Sequence, residues 1–104
     1  MTKTIKNLNK QLQEMVNLQI YIMELRENQK KEQYYNEDLY LNLCNQKYKI
    51  QNKISKGNFL MDCKLEKLCQ ISINISKYGM SELIQEQANL INKIIEIATI
   101  KKTA

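Results

Sequence analysis

Residues 81–100, SELIQEQANLINKIIEIATI, place apolar side chains around half of a helical cylinder, so a chain carrying this segment must cover it from at least two sides. At about 100° per residue, Leu83, Ile84, Ala88, Leu90, Ile91, Ile94, Ile95, Ile97 and Ala98 share one half. Glu82, Gln85, Glu86, Asn89, Asn92, Lys93, Glu96 and Thr99 occupy the other. A surface helix needs an apolar stripe only a little over about 100° wide, so one neighbour leaves this segment unfinished. Gln87 is the polar exception inside the arc. A buried amide without partners costs about 1–3 kcal/mol. Gln87 therefore marks either a polar contact across a core or interface, of the kind that fixes register or oligomeric state, or a partly exposed position at a bundle end.

The covering elements follow from a chain with no proline, two glycines and many strong helix formers, which reads as all-α. Helix one begins at a Thr2 or Thr4 cap and carries Ile5, Leu8, Leu12, Met15, Val16, Ile22 and Met23 on one face. It ends near residue 25, or near 33 if RENQKKEQ (26–33), which contains nothing apolar, continues as a solvated extension. Asn36 followed by Glu37 and Asp38 starts helix two, over 37–55, with Leu39, Leu43, Ile50 and Ile54 as its core row. Gly57 stops it as a left-handed cap. Helix three covers 59–77. Its Ile71, Ile73 and Ile75 alternate with Ser72, Asn74 and Ser76, a strand pattern. Met61, Leu65, Leu68, Ile71, Ile75 and Tyr78 nevertheless share a helical face, and a lone strand would have no partner. Gly79 stops this helix, and Ser81 caps helix four over 81–100.

Short connections at the two glycines favour antiparallel neighbours, so the expected architecture is an antiparallel four-helix bundle, one helical domain over 1–104. The alternative fuses helices one and two into a rod of roughly 50 residues, about 75 Å long. Two shorter helices would pack on half of that rod, and a second chain would cover the rest of a dimer.

The residues that carry most enzyme chemistry are absent. The chain has no histidine, no glycine-rich phosphate loop and no zinc-like spacing. It reads as a non-enzyme with no catalytic residues, no cofactor and no metal. Cys44, Cys63 and Cys69 form neither a CxxC pair nor an even framework and are expected as reduced thiols packed like small hydrophobes. No apolar run reaches the length of a membrane span, and MTKTIKNLNKQLQ lacks the apolar centre of a signal peptide. The expectation is a cytoplasmic protein with no membrane partner.

Two surfaces remain as binding candidates. On helix two, Tyr40, Leu41, Cys44 and Tyr48 form an apolar row beside the core row, with Tyr34 and Tyr35 just before it. Tyrosine is enriched at interfaces because it joins an apolar ring to a polar tip. Together with Gln87 these residues form a candidate protein-binding surface, unless the row packs within its own bundle. The second candidate rests on the net charge of +5. Lys3, Lys6 and Lys10 share one helical face, and Lys49, Lys53 and Lys56 share another, so either row can follow a phosphate backbone. The chain has a single arginine, the residue that most often reads guanine.

GMSELIQEQANLINKI resembles the small sporulation-phosphorelay phosphatases, but their Ser and Asp four apart are replaced by Ile84 and Ala88. Tyr34 with Asp38, and Tyr78 with Glu82, are similar to the Tyr-x-x-x-acid export signal of small helical-hairpin secretion substrates, without their Trp-x-Gly turn. No family is assigned on these residues. The leading expectation is a helical protein that binds another protein as inhibitor, immunity factor, chaperone or accessory subunit, with a homodimer as one form, plausible for a mobile element or phage. A basic nucleic-acid-binding accessory protein is the alternative, and a secreted helical-hairpin partner the second alternative.

Overall fold

The computed structural model describes the backbone of residues 2–103 and the side chains of residues 3–100. Helix α1 runs Thr2–Glu32, α2 Glu37–Ser55, α3 Phe59–Tyr78 and α4 Ile84–Thr103, with a 3₁₀ turn at Ser81–Leu83. Arg26 pairs with Glu37, Lys47 with Glu66, and Gln87 with Ser72, so successive helices run antiparallel. The chain is the antiparallel four-helix bundle, not the rod. Gln33 takes a left-handed backbone (φ 55°) and its N–H, with that of Tyr34, bonds back into the last turn of α1, so the chain reverses before α2.

The RENQKKEQ segment is helical as far as Glu32 although it contains no apolar residue. Polar contacts hold it. Gln29 is buried, Arg26 reaches α2, and Glu27 pairs with Lys77 of α3. The Asn36 and Asn58 side chains accept from the Leu39 and Met61 amides at 3.0 and 2.9 Å, capping α2 and α3. Three expected boundaries move. Thr2 and Thr4 both lie within α1, so neither is the non-helical cap residue. At the end of α2 it is Lys56 (φ 52°) that makes the left-handed cap, with Gly57 also at positive φ. Ser81 lies inside the 3₁₀ turn, whose preceding residue Met80 makes no side-chain cap bond, and α4 proper begins at Ile84.

The alternating isoleucine patch is helical for a tertiary reason. Helix α3 lies between α1 and α4, so the consecutive residues Ile71, Ser72 and Ile73 are all buried. Ile73 lies beside Ile20 and Met23 of α1, while Ser72 receives Gln87 of α4.

One core cluster joins Leu8, Leu12, Met15 and Val16 of α1 with Ile54 of α2, Met61, Leu65, Leu68 and Cys69 of α3, and Ile94 of α4. Two expectations fail here. Of the broad apolar arc of α4 only Ile94 is fully buried; the helix packs chiefly on α3, touches α1 slightly, and leaves Ile84 52 % exposed. On α2 only Ile54 of the expected core row is buried, and Leu39 is exposed. Ile50 lies beside Leu18 and Tyr21 of α1, whereas the most buried positions of α2 besides Ile54 are polar: Lys47, Gln51 and Ser55.

The three thiols differ as well. Cys69 is buried and packs as a hydrophobe, Cys44 is half-buried, and Cys63 is exposed, contrary to the uniform expectation. Burial pushes the Cys69 thiol up to about 11, against the partial opposition of Lys47. Its folded-state value lies above the ordinary one, so between the two the unfolded chain binds fewer protons and stability falls as pH rises. Loss of roughly 2 kcal/mol is expected from about pH 9 to 11. Urea titrations of wild type and Cys69→Ala across this range check it; parallel pH profiles would show that Cys69 is not the responsible group.

Candidate interaction surfaces

Three of the six tyrosines, Tyr34, Tyr35 and Tyr40, gather where α1 turns into α2, and Arg26 lies against two of them. Arg26 donates to both Glu37 carboxylate oxygens at 2.9 and 3.1 Å and to Gln29 Oε1 at 3.4 Å. Its guanidinium carbon lies 3.6 Å from the Tyr40 ring centroid and 5.8 Å from that of Tyr35. The fork-to-fork pair suits arginine alone among the cations, and its planar face stacks on the ring at the same time. Hydrogen bonding from Arg26 holds the Glu37 carboxyl below its ordinary range, and the same bond raises Arg26. Tyr40 is thus half-buried by a partner in its own chain. Tyr34, Tyr35, Leu41 and Tyr48 are all at least half exposed, and Cys44 is intermediate, so most of the row does not pack inside the bundle.

Below this cluster α2 and α3 meet along a polar seam that the sequence reading missed. Lys47 is 2 % exposed and donates from Nζ to Glu66 Oε1 at 2.9 Å, with its ammonium 4.6 Å from the Tyr48 ring centroid. One turn on, Gln51 Nε2 donates to Asp62 Oδ1 at 3.3 Å, while its Oε1 is buried without a donor among the described residues. Ser55 closes the seam by accepting from the Gly57 amide. Lys47, Gln51 and Ser55 recur at every fourth position, the spacing of one helical stripe. That polar spacing was the only signal in the sequence, and it was hidden because polar residues at helical spacing usually face water.

Gln87 makes the contact its place in the arc called for. Its Nε2 donates to the buried Ser72 hydroxyl at 3.0 Å across the α3–α4 interface. The partner is within the bundle, so this amide does not require a second chain.

The two lysine rows, some forty residues apart in sequence, lie toward the same end of the antiparallel α1–α2 hairpin. An outer groove between these helices is lined from α1 by Glu14, Asn17, Leu18 and Tyr21 and from α2 by Gln46, Lys49, Ile50 and Lys53. Lys3 and Lys10 fall on the same helical stripe as Glu14, Asn17 and Tyr21, but of the six lysines only Lys49 and Lys53 line this groove. Lys56, at the left-handed cap beyond α2, borders with Lys53 a cavity of about 250 Å³ near Thr4, Asn7 and Gln11. Lys6 lies one step further round α1. All six lysines are exposed, and none joins an ion pair among the described residues.

Among the described residues no three His, Cys, Asp or Glu side chains are grouped to hold a metal ion, and no helix is long and apolar enough to cross a membrane. The exposed surfaces among the described residues include apolar side chains along α4, on the outer side of α2 and at Phe59 and Leu60 of α3, and lysines toward one end of the α1–α2 hairpin. Comparison of the chain with protein-family models, curated proteins and solved structures finds no match.

Proposed function

We propose that this protein acts without catalysis, in the cytoplasm, by binding another protein through apolar helix faces its own bundle leaves open. The observation that carries this reading is the uncovered flank of α4. Ile84 and Ala88 are exposed and Ile91 and Ile95 are only half-buried, at positions i, i+4, i+7 and i+11. That spacing forms a straight seam on which one amphipathic helix can lie. Leu41 and Tyr48 of α2, one heptad apart and both at least half exposed, offer a second strip of the same kind. The partner is a helix of another protein or of a second copy, in the manner of an inhibitor, immunity factor, chaperone or accessory subunit.

The test is Ile84→Asp. This side chain reaches solvent, so helical circular dichroism should be unchanged, while a charge at the first position of the seam should weaken association at least about tenfold. Light scattering reads self-association, and capture from the host extract reads a partner. A wild-type protein that is monomeric and captures nothing, or an Ile84→Asp variant that binds as wild type does, would remove the reading.

A further inference from the structure

We infer that the cavity at the end of the bundle, where the start of α1 meets the α2–α3 turn, binds a small amphipathic anion: a carboxylate head on a short aliphatic chain. This is the space of about 250 Å³ that Lys53 and Lys56 border, and residues of all four helices line it. The lining grades from buried to exposed. Leu8, Ile54 and Met61 belong to the common core, are at most 8 % exposed and form the floor, with the half-buried Ala98 of α4 packed against that core. Asn7, Lys53 and Lys56 are exposed and form the mouth. A site that is apolar within and cationic at its rim matches the two-part chemistry of an amphipathic anion.

Charge selects the head. No carboxylate is among the lining residues, and neither lysine joins an ion pair among the described residues. Two helix starts and two helix ends meet at this end of the bundle, so their macrodipoles offset and the lysines decide the sign. Ser55 also lines the cavity and is 2 % exposed; its hydroxyl accepts from the Gly57 amide at 3.3 Å, which leaves its proton for an acceptor. An oxyanion is the group that a hydroxyl and two ammonium groups satisfy together. Among oxyanions, a carboxylate leaves most of a small volume to the chain.

Size limits that chain. Drug-sized ligands take pockets of about 300–1,000 Å³, and this one is smaller. At about 30 Å³ per molecule in the liquid, it has the volume of roughly eight waters. Water itself is a poor occupant of the floor, because each molecule needs about two to four polar partners and the buried lining there is carbon. A saturated carboxylate of about eight heavy atoms fills the space.

The experiment uses the full chain and sodium hexanoate, with the methyl resonances of Leu8, Ile54, Met61 and Ala98 followed by NMR. Saturable shifts at these methyls are expected, with a dissociation constant of about 1 mM or tighter for a ligand of this size. Butanoate, two methylenes shorter, should bind about tenfold more weakly. Hexanamide, the neutral isostere, should also bind about tenfold more weakly, and the double variant Lys53→Gln, Lys56→Gln should bring hexanoate down to the level of the amide. Ala98→Leu fills the cavity and should abolish the shifts with helical circular dichroism retained; if that variant does not fold, the lysine pair and the amide decide. Lys30→Gln with Lys31→Gln removes exposed charge at the other end of the bundle and should change nothing. Ile84→Asp should change nothing either, since Ile84 does not line the cavity, so this test and that of the apolar seam fail separately. Absence of saturable shifts in wild type overturns the inference. So does hexanamide bound as tightly as hexanoate, a folded Ala98→Leu variant that binds as wild type does, or an equal loss in the Lys30 and Lys31 control.

Discussion

Ile94→Ala should lower the free energy of unfolding by about 3 kcal/mol, a large share of the roughly 5–15 kcal/mol that holds a small domain folded. Ile94 has no exposed surface and is, among the described residues, the one fully buried side chain that α4 contributes to the core. Truncating it removes the transfer free energy of its outer carbons and leaves a cavity between helices that relax only in part. Because α4 holds to α3 with little support from α1, the loss should appear first as fraying of α4. Urea unfolding followed by circular dichroism gives the total, and hydrogen exchange along 84–100 locates it. Ile84→Ala is the matched comparison on the same helix. That side chain is half exposed, so it should cost no more than about 0.5 kcal/mol. Equal losses at the two positions would mean that α4 is covered on the flank that stands open in this structure.

The second large effect concerns the charge buried between α2 and α3. Glu66→Gln should cost about 2 kcal/mol, because it leaves the Lys47 ammonium desolvated and facing a neutral acceptor. Lys47→Met should cost nothing and can raise stability by about 1 kcal/mol, since an apolar side chain of similar length fills the site with no charge to desolvate. The half-exposed Glu66 carboxylate then returns to water, where it needs no partner. Opposite signs for the two partners of one ion pair are the expected result, read as urea midpoints. A Lys47→Met variant that loses more than about 2 kcal/mol would show the pair to be a net source of stability.

The elements themselves were legible in the sequence. Asn36 and Asn58 cap by their own side chains, Gly79 supplies the left-handed stop expected of it, and the faces of α1 and α3 bury Leu8, Leu12, Met15, Leu65 and Leu68 as their spacing required. These are local matters, decided by φ, by one hydrogen bond or by a period of 3.6 residues. The misplaced ends are local too, but balanced on small differences: a lysine at φ 52° costs only about 1–2 kcal/mol, which one glycine beside it helps the turn to absorb.

Of the candidate surfaces, the sequence supplied the residues and not their company. It marked the tyrosine row, Gln87 and both lysine rows, yet nothing within a few residues of Tyr40 says that Arg26 stacks on it, and nothing near Lys47 says that it is buried. Those facts depend on how helices distant in sequence lean against each other. By itself the sequence determined four helices, their order and most of their inward faces, because periodicity and capping act over a single turn. The tertiary structure alone decided that α4 is held by Ile94 with an open flank, that α2 buries Lys47, Gln51 and Ser55, and that Arg26 stacks on Tyr40. Packing angles and neighbours set those outcomes, and they are properties of pairs of helices that no single helix encodes.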